Sequence, residues 1–545
     1  NWRFTESKQS SIACAEQRST SAVFADVDGD GDLDLLVGGI AAGTRLFLND
    51  GDGLFPESTE TGLSKTASAT SMALADLDGD GDLDLYCAHY IDEMHIADPT
   101  THYALARRNG QYVVTHVNGE PATSPRLRNR FVVSSTGRLR ELPEADGLYL
   151  NEGNGRFRAV QFEPGRFTDA DGVPMAATRD WSLSVMCRDL NGDGAPDIYV
   201  CTDNATPDRV WINSGKATFR ELDPLKLRHS SRSSMGIDFA DINRDGLDDF
   251  IVVDMFSADH ARRMTQLVKQ HSSLESVQKV DARPRYNRNT LFLGRPDGSF
   301  VETALMAGVA ATEWSWGPVF LDVDLDGYED LLVTNGFSFD VMDQDSHDKL
   351  RAMKLSKEQR QRSRQFHPPL PTGNVAFRNN GDGTFESQGA AWGFDQKGIS
   401  YGMALGDLDN DGDLDVVINQ LNEEALMLQN LTSAPRVKVV LEGVPPNTRG
   451  VGARIRLVIG DFIQSQTIDA GGRYLSSDEA VRVFAFPVGG PRSAQLEVAW
   501  PDGRRSEIHS VQPNRMYMIR QSTAVVVASE SSVRPTPMFL DASSM

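Results

Sequence analysis

One nine-residue pattern, D-x-[DN]-x-D-G-x-x-D, occurs six times in this 545-residue chain. The copies, numbered loops one to six, are DVDGDGDLD from Asp26, DLDGDGDLD from Asp76, DLNGDGAPD from Asp189, DINRDGLDD from Asp241, DVDLDGYED from Asp322 and DLDNDGDLD from Asp407. Oxygen ligands at positions 1, 3, 5 and 9, a backbone carbonyl at 7 and a glycine at 6 wrap a chain around one hard cation. The expected ligand positions are Asp26, Asp28, Asp30, Asp32 and Asp34; Asp76, Asp78, Asp80, Asp82 and Asp84; and Asp189, Asn191, Asp193, Ala195 and Asp197. In the second half they are Asp241, Asn243, Asp245, Leu247 and Asp249; Asp322, Asp324, Asp326, Tyr328 and Asp330; and Asp407, Asp409, Asp411, Asp413 and Asp415. Carboxylates held this close repel one another without a cation. Calcium suits the spacing better than magnesium, which demands a stricter octahedron. The expected cofactor is calcium, about six ions, with loop four the weakest case because Arg244 puts a positive charge in it.

These are not EF-hands. Position 12, where a bidentate Glu belongs, holds Val37, Cys87, Val200, Val252, Val333 and Ile418. Apolar residues stand two before each first Asp (Phe24, Leu74, Met186, Phe239, Phe320, Leu405), and a short apolar run follows each loop. The flanks therefore read as strands, and each loop closes a β-hairpin. Downstream lies a second pattern, an apolar strand and then N-x-G-x-G-x-F or a relative: LFLNDGDGLF, LYLNEGNGRF, VWINSGKATF, LFLGRPDGSF and AFRNNGDGTF. Asn-Gly and Asp-Gly turns between strands mark hairpins. Four antiparallel strands per unit, repeated radially, make a β-propeller blade. The sixth unit stops at LMLQN, and the N-terminal NWRFTE looks like its missing last strand, so the first and last strands are expected to close the ring together.

Composition narrows the class further. The net charge is −23, from 54 Lys+Arg against 77 Asp+Glu, which argues against non-specific nucleic-acid binding. No apolar run is long enough to span a bilayer. Four cysteines, Cys14, Cys87, Cys187 and Cys201, form no C-x-x-C pair, so thiolate zinc and thioredoxin-type chemistry are not expected. Cys187 and Cys201 flank one loop, and the sequence leaves open a disulfide or buried thiols.

The repeats resemble the FG-GAP (VCBS) family, the blades of the integrin α-chain head, over roughly residues 1–432. That resemblance implies seven blades, the seventh lying between Asp84 and Asp189; the loop count itself gives six. From about Pro435 to Gln521 the Asp loops cease and the pattern alternates strongly. The segments GGRYLSS (Gly471 to Ser477) and VAWPDG (Val498 to Gly503) resemble the ASPIC/UnbV domain that follows such repeats in cartilage-acidic-protein-like chains, chiefly bacterial. The expected fold is thus all-β: a six- or seven-bladed β-propeller with calcium loops (1–432) and short helical insertions, a small β-sandwich (433–521), and a linker or the start of a further unit (522–545). The absence of an initiator Met and of a signal peptide suggests a processed or excerpted part of a longer protein.

Connections between second and third strands fall on the face opposite the loops. Three are long: Asp92 to Asp146, Met255 to Asn289 and Phe337 to Val375. Long loops on a rigid scaffold are where binding usually lives. Two of them read as helical and basic, with Arg262, Arg263, Lys269, Lys279, Arg283, Arg285 and Arg288 in one. The other holds Lys349, Arg351, Lys354, Lys357, Arg360, Arg362 and Arg364. They could receive an acidic polysaccharide or simply balance the chain's own acid. Trp181, Trp314, Trp316 and Tyr401 precede the first loop Asp by six or eight residues, near Arg179, Asp180 and Glu313. A sugar or peptide site and channel packing between blades both fit this placement.

Catalytic signatures are missing: there is no H-E-x-x-H, Walker loop or Rossmann fingerprint. Gly398-Ile399-Ser400-Tyr401-Gly402 matches G-x-S-x-G, but a strand follows it where a nucleophile elbow needs a helix. The expected function is a secreted, periplasmic or cell-surface calcium-binding module for adhesion or assembly, not an enzyme, with an extracellular protein or acidic polysaccharide as partner. The alternatives are a polysaccharide lyase or hydrolase using Asp180 or Glu313, and a subunit of a surface polymer self-assembling through PMFLDASSM. Asn204 and Asn430 stand in N-x-T glycosylation patterns.

Overall fold

The computed structural model describes residues 4, 7–10, 12–91, 95, 98, 100–124, 126–134, 137, 139–176, 178–203, 206–266, 283–356, 359, 362–487 and 494–526. Six antiparallel sheets carry the six loops. Sheet one is Arg18–Ala25, Asp34–Ile40, Gly43–Phe47 and Glu57–Ser58; the next four repeat that four-strand order, and sheet six has three strands, Ser400–Gly406, Asp415–Gln420 and Leu426–Leu428. Every loop closes its hairpin in one register, the residue before the first Asp facing the ninth-position Asp: Ala25↔Asp34, Ala75↔Asp84, Arg188↔Asp197, Ala240↔Asp249, Leu321↔Asp330 and Gly406↔Asp415. Successive innermost strands pack side by side from sheet one to sheet six. The fold is the all-β, propeller type that the repeat predicts.

The stretch between Asp84 and Asp189 supplies the outer strands Gly147–Asn151 and Phe157–Ala159 of sheet two. It also supplies a three-stranded sheet from Tyr103–Arg108 to Glu120–Pro121 and the small pair Phe131–Val133 and Leu139–Glu141. No further Asp-loop sheet stands there among the described residues. The basic insertions hold the short helices His260–Thr265 and Gln344–Ala352; Lys269, Lys279, Lys357 and Arg360 lie outside the described residues. No described helix is long and apolar enough to cross a membrane.

After sheet six the chain makes a sandwich of two sheets. Arg436–Glu442 sits between Val481–Ala485 and Arg515–Arg520, and faces a five-stranded sheet that includes Arg454–Ile459 and Ala494–Ala499. Its core is not separate. Val437, Val439, Ile455, Leu457, Phe484 and Trp500 form one buried cluster with Val23, Leu36, Leu74 and Leu85 of sheets one and two.

The sandwich also sends a hairpin into the ring. Ala470 and Gly471 pair with Leu74 and Ala73 of sheet two. Arg473 forms ion pairs with Asp238 of sheet four and with Asp478. Tyr474 stacks on Trp316 of sheet five, centroids 5.4 Å apart. The return arm bonds sheet six: Ser476 Oγ donates to the Met403 carbonyl (2.6 Å), Leu405 N–H to Asp478 (2.9 Å) and Glu479 N–H to the Leu405 carbonyl (2.9 Å). The hairpin also reaches sheet one, where Phe24 N–H donates to Ser477 Oγ (3.4 Å).

Gln9 lies on the outside of sheet one. Its amide donates to the Gly53 carbonyl (2.8 Å) and accepts from Phe55 N–H (2.9 Å), while Ile12 and Cys14 pack on Phe47 and Phe55. The Thr61 and Lys226 carbonyls likewise accept from Phe157 and Phe300 N–H. Phe4 precedes Asp26 by 22 residues, the spacing of Phe219, Phe300 and Phe385 to Asp241, Asp322 and Asp407. Of the NWRFTE segment expected to complete sheet six, only Phe4 is described, 62% exposed; the rest lies outside the described residues, as does PMFLDASSM.

Arg473 is a buried charge held by two carboxylates, and removing one member of such a set typically costs about 3–5 kcal/mol. Arg473→Ala is expected to lower the unfolding free energy by about that amount in urea melts. Arg456→Ala, at a surface pair with Glu497, should cost less than about 1 kcal/mol.

Candidate metal centres

Each loop is shaped from within by its first aspartate. Asp26 accepts from the N–H groups of Gly29 (2.8 Å) and Gly31 (2.9 Å), Asp76 from Gly79 and Gly81, and Asp189 from Gly192 and Gly194. Asp241, Asp322 and Asp407 accept from Gly246, Gly327 and Gly412. Those position-six glycines sit at φ between 87° (Gly246) and 103° (Gly31), where a Cβ is strained. Position four is left-handed too, even where it is Arg244 (φ 59°), Leu325 (54°) or Asn410 (59°). The sequence pattern showed the first requirement and not the second.

The ninth-position aspartate anchors the loop to the sheet. One oxygen of Asp34, Asp84, Asp197, Asp249, Asp330 and Asp415 accepts from the residue after the first Asp: Val27, Leu77, Leu190, Ile242, Val323 and Leu408. The other accepts from the end of the third strand: Asn49, Asn151, Asn213, Gly294, Asn379 and Asn430. The same asparagines bind the preceding sheet. Asn151 Nδ2 donates to the Val27 carbonyl of loop one (2.8 Å), Asn213 to Leu77 of loop two, Asn379 to Ile242 of loop four and Asn430 to Val323 of loop five. Asn49 reaches only Leu33 of its own loop. Read from sequence as turn residues, these asparagines are stitches between sheets, a role no local spacing reveals.

Positions 1, 3 and 9 converge. Carboxylate oxygens of Asp26/Asp28/Asp34, Asp76/Asp78/Asp84, Asp322/Asp324/Asp330 and Asp407/Asp409/Asp415 lie within 4.8 Å of one another. In loops three and four the third-position amides of Asn191 and Asn243 donate to Asp193 and Asp245. Fifth-position side chains stay outside the clusters: Asp30, Asp80, Asp193, Asp245, Asp326 and Asp411 accept from the position-seven N–H of Asp32, Asp82, Ala195, Leu247, Tyr328 and Asp413.

The clusters fit a hard divalent cation. They offer only oxygen, and Asp78 Oδ1 and Asp324 Oδ1 are buried without a hydrogen-bond partner, as is Asp241 Oδ1 of loop four outside the clusters. Burial pushes the Asp34 carboxyl up to about 7 and those of Asp84, Asp197, Asp249 and Asp330 up to about 8, with neighbouring carboxylates adding to the rise.

Basic side chains distinguish the loops. Arg244 leaves loop four: its guanidinium lies 3.4 Å from the Tyr328 ring centroid of loop five and 4.5 Å from Phe462 of the sandwich. The charge expected inside loop four is thus drawn away by two aromatic faces. Arg378 pairs with Asp324 (2.6 Å) and Asp326, Lys438 with Asp407 (2.7 Å), and Arg436 with Asp411 and Asp413. Thr448 donates to Asp26, and Arg454 pairs with Asp248. The sandwich therefore covers the loop face.

The aromatic candidates pack internally. Trp314 stacks on Phe337 (4.5 Å), Trp316 lies between Tyr401 and Tyr474 with its indole N–H on the Gly336 carbonyl, and Trp181 meets Tyr90 edge-on (5.0 Å). Arg179 donates to the Pro143 carbonyl. Asp180 pairs with Arg209, and Glu313 with Arg262, Ser257 and the N–H groups of Ala258 and Asp259. Both acids of the enzymatic alternative are thus engaged in structural bonds. Ser400 opens a strand. Cys187 faces Ile198 and Cys201 faces Ser184, and both thiols are free.

Residues 26–87, 189–252, 282–333 and 370–418 match the FG-GAP-like repeat family, and residues 443–526 match the ASPIC and UnbV family. Cartilage acidic protein 1 of Homo sapiens is 26% identical over 255 residues, which cover 40% of this chain and 37% of that protein's length. Among solved structures, the V. cholerae biofilm matrix protein Bap1 aligns at a TM-score of 0.31 and 11% identity, over 93% of this chain and 61% of its own.

The folded-state values of the ninth-position carboxyls lie above the ordinary 3.8, so in divalent-free buffer the folded chain holds protons that the unfolded chain has released. Their contribution to stability is complete below about pH 4 and is lost as pH rises through about 8. Melting points in chelator are expected to fall across that interval, and a saturating divalent cation should abolish the fall.

Proposed function

We propose, from a chain that carries FG-GAP-like repeats and an ASPIC and UnbV domain, that this protein is an extracellular, calcium-stabilised binding or adhesion module. The propeller runs over 1–432 and the sandwich over 433–521. The observation that carries the reading is the set of buried carboxylate clusters with unpartnered oxygens, repeated at matching places in successive sheets. Calcium is the ion that suits them, and its role is structural: the loops face the sandwich. Extracellular loops of this kind bind in the sub-millimolar to millimolar range, which suits the outside of a cell and not a resting cytosol.

The binding face is the one opposite the loops, where the three long connections emerge on a braced scaffold. Its partner is an extracellular protein or an acidic polysaccharide. Lys349, Lys354, Arg362 and Arg364 provide the positive charge there, together with Arg351 in an exposed pair with Asp348, whereas Arg262 and Arg288 are held in less exposed pairs with Glu313 and Glu302. An array of acidic glycans and matrix proteins, probed with and without calcium, tests this. Binding that charge reversal at Lys349 and Arg351 leaves unchanged would refute the assignment of the face.

At free calcium ten times the dissociation constant each site adds about 1.4 kcal/mol, so six independent sites add on the order of 8 kcal/mol. With an unfolding entropy of roughly 2 cal/mol/K per residue, chelation is expected to lower the melting point by about 5–10 °C. Scanning calorimetry checks this, and an unchanged midpoint would remove calcium from the account.

A further inference from the structure

Loop six differs from loop two in one respect that its sequence hides. Both carry five aspartates. In loop two no Lys or Arg forms an ion pair with them among the described residues. In loop six the Lys438 ammonium of the sandwich lies 2.7 Å from Asp407 Oδ2, with 10% of the Lys438 side chain and 1% of Asp407 exposed. Arg436, two residues earlier on the same strand, places one guanidinium nitrogen 3.1 Å from Asp411 and 3.2 Å from Asp413. Asp407 Oδ2 also accepts the Gly412 N–H, and its Oδ1 the Asp411 N–H. The cation is delivered by a strand fixed on both sides, since Arg436–Glu442 pairs with Val481–Ala485 and Arg515–Arg520. It cannot swing away as a surface lysine would. In loop one the first aspartate receives the neutral Thr448 hydroxyl, and Arg449 of the sandwich donates to the Gly31 carbonyl (2.8 Å) rather than to a carboxylate.

We infer that Lys438 is a resident cation of loop six, and that it makes this loop a calcium site at least tenfold weaker than loop two. The inference rests on the calcium reading above and adds a ranking to it. A divalent ion entering the cluster of Asp407, Asp409 and Asp415 must share a first-position carboxylate with an ammonium already bonded to it. Like charges a few ångströms apart in a buried setting repel strongly. The ammonium neutralises part of the loop when calcium is scarce, so the sandwich keeps its hold on sheet six at low calcium while loops one and two lose their ions.

Native mass spectrometry of the full chain, across a calcium titration, counts the bound ions. Asp76→Asn is expected to remove one ion from the tight class and Asp407→Asn none, while Lys438→Met, which keeps the aliphatic stem, gains one. The ranking is overturned if Asp407→Asn removes a tight ion, or if folded Lys438→Met gains none. Should Lys438→Met fail to fold, the comparison of Asp76→Asn with Asp407→Asn decides alone. Absence of calcium from every loop overturns the calcium reading and the ranking together; equal filling of all six overturns the ranking only.

Discussion

A buried carboxylate that joins a loop to a strand is the constraint on which the rest of this structure depends. In each sheet the ninth-position aspartate accepts from the start of its loop and from the end of the third strand, with its side chain out of water. Bonds to a charged acceptor are strong, but a buried anion without a counter-charge is expensive. The fold thus places negative charge at the base of every sheet and leaves oxygens of Asp78, Asp241 and Asp324 unmet. A cation shared with positions 1 and 3 resolves both demands. Where the chain supplies its own positive group, as Lys438 does at Asp407, the same demand is met from within.

The hairpins were legible because both of their signals are local. A glycine fixed at position six and an apolar residue two before the first aspartate define loop and strand within a dozen residues. What escaped was carried by distance. Asn151 looks like half of a turn until its amide is found on Val27, 124 positions away. Arg473 and Tyr474 sit in a segment that suggested only a family likeness, and Ser71 meets the Arg473 carbonyl across 402 positions. Arg244 misled for a different reason: its charge is real, but Tyr328 and Phe462 draw it out of its own loop. The aromatic residues ahead of the loops were placed near the channel, but sequence could not decide whether the channel was open. The structure gives Trp316 to Tyr474.

The seam between sheets six and one is unlike the other five. Loops one, two, four and five are each stitched by an asparagine of the following sheet; for loop three the matching residue is Gly294 instead, and Asn49 makes no such reach to loop six. Phe24 is 48% exposed, whereas its counterparts Leu74, Met186, Phe239, Phe320 and Leu405 are buried. The hairpin from Ala470 to Glu479 reaches this seam, bonding sheet two on one arm and sheet six on the other, with Ser477 Oγ accepting from Phe24 N–H. The sandwich is therefore a structural part of the ring as well as its cover.

A chain synthesised from its N-terminus meets this seam as a problem of timing. Sheets one to six are complete by Leu428, yet the hairpin that reaches the seam ends about fifty residues later. Until those residues are made, the strand of sheet six around Met403 and Leu405 lacks its bonding partner, and transiently exposed surface of this kind invites aggregation. The long sequence separation of the closing contacts also makes the final step slow relative to forming the hairpins. The nascent protein is consequently a client for whatever shields apolar surface during synthesis, and a chain cut short before Ala470 would remain one.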